Sequence, residues 1–300
     1  MAKYLDSFLE HRLDQERKHI SAIEDNNDPI NSLITVEMNI TELCNRVCSF
    51  CPRVDSRIYP NRNLSMDLKI SKKVAADLEG VNYKGRVSFS GYGEPILNKE
   101  FAEHIKIFRD ALPDNIIETN TNGDKLTVKM IKQFFAAGIT ALYVNLYDGP
   151  QQVQYFKNLF LQAGISIDCY KLRYHWEGVA DDCGLTINNR SGMLKFDKKQ
   201  IDSQTFPINN PCYYPFYKML VDYNGDVMFC ANDWGRNNIV GNVLKSYVRD
   251  IWLSKKMQEI RLRLIDSDRN FKPCNICDIQ GTLHGKSSVD RLVTYYAQQK

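Results

Sequence analysis

The sequence predicts an α/β fold: a partial (β/α) barrel of five to six parallel strands, followed by a small C-terminal α+β domain that bears cysteines. Two observations carry that expectation. Apolar runs of strand character alternate with amphipathic stretches between residues 33 and 175, and such alternation implies a parallel sheet with right-handed crossovers. Past residue 176 the alternation fails in a stretch rich in Gly, Asn and Asp. A hairpin signal then follows, Asn224-Gly225 between two apolar runs.

The elements follow in order. Tyr4, Leu5, Phe8, Leu9, Leu13, Ile20 and Ile23 recur at helical spacing, so residues 1–32 read as a helical extension that ends in a polar break. A first strand over 33–40 delivers the chain into a cysteine loop. A second over 86–90 precedes a helix near 98–111, and a third over 115–120 precedes one near 127–137. A fourth over 140–147 precedes a helix near 151–163, and a fifth spans 164–175. The loop-rich stretch places a boundary near 205, giving domains over 33–205 and 206–300. The second domain holds the hairpin and a helix near 247–264, in which Trp252 is a packing anchor. In parallel sheets of this kind functional groups gather at the C-terminal ends of the strands.

Composition narrows the function. The chain has 300 residues, 43% of them apolar and 25% charged, the ordinary mix of a globular protein. Its 39 Lys and Arg against 36 Asp and Glu leave +3, so nucleic-acid binding has no support in the charge. No apolar run is long enough to span a bilayer, and the N-terminus is charged where a signal peptide needs an apolar core, so a cytoplasmic protein is expected. Nine cysteines, an odd number, argue against a disulfide framework and for metal sites, iron–sulfur or zinc.

Cys44, Cys48 and Cys51 form a C-x3-C-x2-C loop just after the first strand. Three thiolates can hold three irons of a cubane cluster and leave the fourth open to an outside ligand. The segment CNRVCSFC resembles the signature of the radical S-adenosylmethionine (radical SAM) superfamily, including the aromatic Phe50 before the third cysteine. The resemblance implies a [4Fe-4S] cluster whose free iron is chelated by the amino and carboxylate groups of SAM, with Phe50 near the adenine. Ser90-Gly91-Tyr92-Gly93-Glu94-Pro95, at the end of the second strand, is similar to the family's GGEP loop, with Tyr92 in place of a glycine. By resemblance Glu94 and the carbonyls of Gly91, Tyr92 and Gly93 bind the methionine amino group of SAM. Asn120 and Asn122 lie in a turn that resembles the family's TNG turn, and Asn145 stands where a serine usually meets the SAM carboxylate. The family's arginine in the following helix is replaced at best by Lys157.

Cys212, Cys230, Cys274 and Cys277 are spaced C-x17-C-x43-C-x2-C, with Gly225 giving C-x12-G-x4-C at the start. This resembles the SPASM extension of radical SAM enzymes. No cysteine follows Cys277, so the region is similar to the shortened, four-thiolate version called Twitch. Four thiolates close a site, which suits either an electron-transfer cluster or a structural zinc. Beside the first group, a second [4Fe-4S] cluster is the expectation.

The resemblance implies an enzyme that cleaves SAM to a 5′-deoxyadenosyl radical and oxidises a secondary alcohol of a small sugar- or cyclitol-like substrate. The second cluster takes the electron, and an external donor such as flavodoxin or ferredoxin supplies the first. Epimerisation with Cys169 or Cys183 as hydrogen donor is an alternative, as is modification of a peptide substrate. A non-enzymatic zinc-binding protein is the outlying reading. Arg173 and His175 close the fifth strand, where Arg173 could meet a carboxylate and His175 could take a proton from a substrate hydroxyl.

Overall fold

The structure, a computed structural model, describes residues 28–175, 188–194, 205–279 and 285–299. The expected helix over residues 1–32 lies outside them except for a short 3-10 turn at Pro29–Ser32. Eight strands form one sheet: β1 (Thr35–Met38), β2 (Arg86–Phe89), β3 (Ile117–Thr121), β4 (Ala141–Leu146), β5 (Tyr170–Tyr174), β6 (Lys218–Val221), β7 (Asp226–Met228) and β8 (Ile239–Asn242). Their order is β5-β4-β3-β2-β1-β6-β7-β8. From β5 to β6 all neighbours are parallel, as the strand–helix alternation requires, and β7 and β8 are antiparallel.

The hairpin around Gly225 therefore does more than begin a separate unit. Its first arm, β6, lies beside β1 in register, Met38 opposite both Phe89 and Val221, so the sheet runs unbroken across the stretch expected to divide the chain near 205. Four helices follow the first four strands: α1 (Leu68–Gly80), α2 (Phe101–Ala111), α3 (Val128–Ala136) and α4 (Gln151–Ala163). Four more lie in the C-terminal part: α5 (Tyr214–Tyr217), α6 (Val248–Trp252), α7 (Lys255–Ile265) and α8 (Lys286–Gln298). The single helix expected near 247–264 is two. Ser254 takes an extended backbone and its hydroxyl accepts from the Met257 amide at 3.3 Å, starting α7 afresh. Among the described residues no helix is long and apolar enough to cross a membrane.

Strand periodicity divides the sheet into two faces. Val36, Met38, Val87 and Phe89 face the helices and join Phe101, Phe108 and Ile105 in the main core. The alternate residues are polar. Glu37 accepts from Ser90 Oγ at 2.9 Å and pairs with Lys218 at 2.8 Å, and Arg86 Nε donates to Thr35 Oγ1 at 2.9 Å. A barrel interior lined this way is built to hold a polar ligand rather than to fill itself with side chains. Trp252, fully buried, joins α6 to the Pro29–Ser32 turn: its Nε1 donates to Ser32 Oγ at 2.9 Å and its ring lies 4.0 Å from the Arg261 guanidinium. The packing role expected of Trp252 is the one it plays.

Candidate active site

The loop after β1 carries Cys44, Cys48 and Cys51 without regular structure, so other parts of the chain must hold it. Arg46 does so from outside, pairing with Asp124 at 2.6 Å and Asp148 at 2.5 Å beyond the ends of β3 and β4. Arg53 does so from inside, buried, its Nε donating to the Tyr92 carbonyl at 2.9 Å and its Nη2 to the Glu42 carbonyl at 2.6 Å. Asn61 accepts from the Cys44 amide at 3.0 Å. The three thiols are half-buried. Burial pushes the Cys48 thiol up to about 11, helped by repulsion from Cys51 and Cys44. Burial raises Cys44 and Cys51 as well.

The chemistry of the donor set is the fit test for a metal centre, because thiols ligate a metal as thiolates and a bound cation stabilises those anions. Among the described residues no three His, Cys, Asp or Glu side chains crowd one ion-sized point. The donor set is three sulfurs on one loop, of which Cys48 lines a pocket, and three thiolates suit a cluster with one open iron.

The pocket, a cavity of about 190 Å³, lies at the C-terminal ends of β2, β3 and β4 and is lined by Cys48, Gly91, Gly93, Glu94, Asn120, Asn122 and Asn145 among others. The Gly-Tyr-Gly order has a steric cause. Gly91 sits at φ +142°, and a Cβ on Gly93 would collide with the Thr41 carbonyl oxygen. Tyr92 stands between them because its side chain leaves the pocket. It is 2% exposed, packed with Tyr59 and Trp234, and its hydroxyl donates to the Asp233 carbonyl at 3.0 Å. The Tyr92 and Gly93 amides both donate to Asn39 Oδ1.

Glu94 is buried at the pocket's base. It accepts from Thr121 Oγ1 and from the Asn122 amide, each at 2.7 Å. Desolvation outweighs these bonds and pushes its carboxyl up to about 7. Among the described residues no Lys or Arg pairs with it, so a ligand's ammonium group is the complement it lacks.

The remaining predicted residues gather round the mouth. Phe50 stacks on Tyr147 at 5.8 Å, and Tyr147 on His175 at 5.0 Å, forming an aromatic platform. His175 Nε2 lies 2.9 Å from Asn145 Oδ1, and Asn145 Nδ2 donates to the Thr121 carbonyl at 3.1 Å. Arg173 donates to Asn120 Oδ1 and lies over the Tyr143 ring. Asn122 Nδ2 donates to Asn45 Oδ1 at 3.0 Å, so the TNG turn braces the cysteine loop.

Sequence reasoning missed Arg190. Burial pulls this guanidinium below the ordinary arginine range, against attraction from Cys51, Tyr147, Asp278 and Tyr214, and its Nε donates to the Phe50 carbonyl at 3.4 Å. The segment that carries it was read as loop, and nothing in its composition singles out one arginine.

Cys212, Cys274 and Cys277 lie near enough to Cys230 to repel its thiolate. Burial raises Cys230 well above the usual thiol range, with repulsion from Cys212, Cys277 and Cys274. The segment 188–194 lies against this group: Ser191 hydrogen-bonds the Cys277 thiol, and Asn189 Nδ2 donates to the Ile276 carbonyl at 2.6 Å. Of the two remaining cysteines, Cys169 stands apart from both groups. Cys169 ends a 3-10 turn before β5, at the N-terminal end of the strand and away from the pocket. The alternative reading of Cys169 as a hydrogen donor finds no support in this position, because a whole strand separates the thiol from the mouth. Cys183 lies outside the described residues.

An open three-thiol loop above a carboxyl-floored pocket, at the C-terminal edge of a partial parallel barrel, defines a radical SAM enzyme. Comparison with protein families agrees: residues 38–160 match the radical SAM superfamily and residues 212–278 match SPASM, an iron–sulfur cluster-binding domain. The chain carries a radical SAM domain and, after it in sequence, a SPASM domain, and the two domains imply SAM and iron–sulfur clusters. It is 28% identical over 257 residues to the S-adenosyl-L-methionine-dependent 2-deoxy-scyllo-inosamine dehydrogenase of Niallia circulans, covering 84% of this chain and 96% of that one. It is 33% identical over 116 residues to the GTP 3′,8-cyclase of Sulfurovum sp. (strain NBC37-1), covering 37% of this chain and 33% of that one. Among solved structures it is similar to BtrN in complex with AdoMet and 2-DOIA, with a TM-score of 0.67 and 25% identity over 82% of this chain and 93% of that one.

Proposed function

We propose that the protein oxidises a secondary alcohol of a small aminocyclitol- or sugar-like substrate. The observation that carries this reading is the pairing of an open three-thiol loop at the pocket with a second, four-thiol group. The similarity to an aminocyclitol dehydrogenase over most of both chains supports the substrate class. When bound, SAM and a reduced cluster supply a radical able to take a hydrogen atom from an unactivated carbon.

The chain's own residues do the rest. Cys44, Cys48 and Cys51 hold the first cluster, and the Glu94 carboxylate receives the SAM ammonium. The face made by Phe50, Tyr147 and His175 offers a surface on which an adenine can lie. Loss of a carbon-bound hydrogen atom and of the hydroxyl proton turns a secondary alcohol into a ketone and releases one further electron. We assign the proton to His175, whose ring Asn145 holds through Nε2. The electron needs an acceptor, and four thiols that leave no coordination place for substrate suit that role. Residues 33–205 then serve SAM and substrate, and 206–300 serve the second cluster. A flavodoxin or ferredoxin in the cytoplasm, where thiols stay reduced, is the proposed source of the initiating electron.

Anaerobic incubation of the reconstituted protein with SAM, dithionite and 2-deoxy-scyllo-inosamine tests this. Ketone and 5′-deoxyadenosine in equal amounts are expected. Absence of 5′-deoxyadenosine would remove the radical chemistry, and 5′-deoxyadenosine without ketone would remove the oxidation.

A further inference from the structure

Tyr92 has a second side. Its backbone belongs to the loop that lines the pocket, while its ring reaches the segment that follows Cys230. That segment is a knot: the Asp233 amide donates to the Cys230 carbonyl at 3.1 Å. The Asp233 carboxylate, fully buried, accepts from the Asn237 and Asn238 amides at 2.9 and 2.8 Å. Trp234 presents its ring to Tyr92 and to Tyr59, each at 4.8 Å, and Cys51 packs against the same cluster. Arg236 closes the contact. It bonds Asp222 at 2.6 Å, Glu42 at 2.8 Å and Tyr59 Oη at 2.9 Å, with its guanidinium 4.9 Å from the Tyr92 ring centre.

From these contacts we infer that Tyr92 is a positioning residue, one that holds the Cys230 loop in register with the Gly91–Glu94 loop and so fixes the two cysteine groups relative to each other. The inference rests on the oxidation proposed above and deepens it, since electron removal from a substrate between the two groups requires a fixed spacing. Glycine at this position would leave the pocket-side amides in place and delete every contact to Asp233 and Trp234. The tyrosine side chain therefore acts on the far side of the loop, away from the pocket.

The test uses the full-length protein with both clusters reconstituted, as wild type, Tyr92→Phe and Tyr92→Gly. In Tyr92→Gly the EPR signal of the second cluster is displaced, and ketone formed per 5′-deoxyadenosine falls at least threefold. Tyr92→Phe, which keeps the ring, recovers at least half of that ratio. A wild-type signal and a wild-type ratio in Tyr92→Gly would overturn the inference. So would a loss of SAM affinity with the second-cluster signal unmoved, which would assign Tyr92 to the SAM side. If Tyr92→Gly does not fold, Trp234→Ala, which removes the ring that Tyr92 meets, is read in the same way. The EPR comparison requires no turnover, so it decides on Tyr92 even where the wild type makes no 5′-deoxyadenosine and the proposed reaction has failed.

Discussion

Arg46 grips Asp124 through both carboxylate oxygens, Nε to Oδ2 at 2.7 Å and Nη2 to Oδ1 at 2.6 Å, although 78 residues separate them in the chain. A planar fork on a carboxylate fixes orientation as well as distance. Here it fixes the middle of the Cys44–Cys48 interval against the end of β3. The Asp124 side chain is 24% exposed and that of Asp148, the second partner, 53%. The Asp124 contact should therefore matter more.

Arg46→Gln is expected to lower 5′-deoxyadenosine formation about tenfold, equivalent to about 1.4 kcal/mol. It should also hasten loss of the first cluster's EPR signal in air. Asp124→Asn should follow it closely, and Asp148→Asn should cost less. Equal effects from the two Asp variants would count against the clamp.

Glu94 sets a pH dependence. Its folded carboxyl titrates near 7 because burial disfavours the anion, and an ammonium ligand needs that anion. Below pH 7 SAM affinity should fall about tenfold per unit, as each bound SAM then requires loss of one proton from Glu94. Calorimetry between pH 6 and 8 reads this directly. Glu94→Gln keeps an acceptor for Thr121 or Asn122 but no charge, so it should bind SAM at least tenfold more weakly and lose the slope.

His104 gives a stability test remote from the site. It is fully buried between α1 and α2, with Nδ1 2.7 Å from Ser71 Oγ and Nε2 3.3 Å from Asn98 Nδ2. Burial lowers its pKa from 6.5 to about 4. The unfolded chain then binds the extra proton first as pH falls, so stability is complete above pH 6.5 and is lost progressively towards pH 4. The loss is up to about 3 kcal/mol. Denaturant melts at pH 7 and pH 5 should differ accordingly, and His104→Gln should remove most of this difference.

The second cysteine group yields an iron count. The reconstituted wild type should hold about eight irons, and Cys230→Ala with Cys274→Ala about four. Four in both proteins would leave the second group without a cluster.

Much of this was legible in the residues. The strands over 86–90 and 140–147 stand within a residue of β2 and β4, because an apolar–polar alternation bounded by turns has a period that only a strand satisfies. The cysteine spacings and the Gly91–Glu94 loop sit where the strand ends place them. Other features could not be read. The pairing of β6 with β1 is non-local, and the sequence shows only the hairpin that β6 shares with β7. Helices α1 and α8 carry many polar and charged residues, which blur their apolar stripe. Arg190 becomes notable only once folding buries it beside Phe50 and Cys51, and the inward polar face of the barrel gives no sign of which Asn meets which Arg. Cys169 was placed on β5 from an apolar run that in fact begins with a 3-10 turn, and that turn puts the thiol at the wrong end of the barrel.

Isotope transfer tests the central claim most directly. An aminocyclitol bearing deuterium on the carbinol carbon is incubated anaerobically with the reconstituted protein, SAM and dithionite. The account predicts deuterium in 5′-deoxyadenosine and one ketone formed per SAM cleaved. Recovery of an epimerised alcohol carrying solvent hydrogen at that carbon, with no ketone, would contradict it.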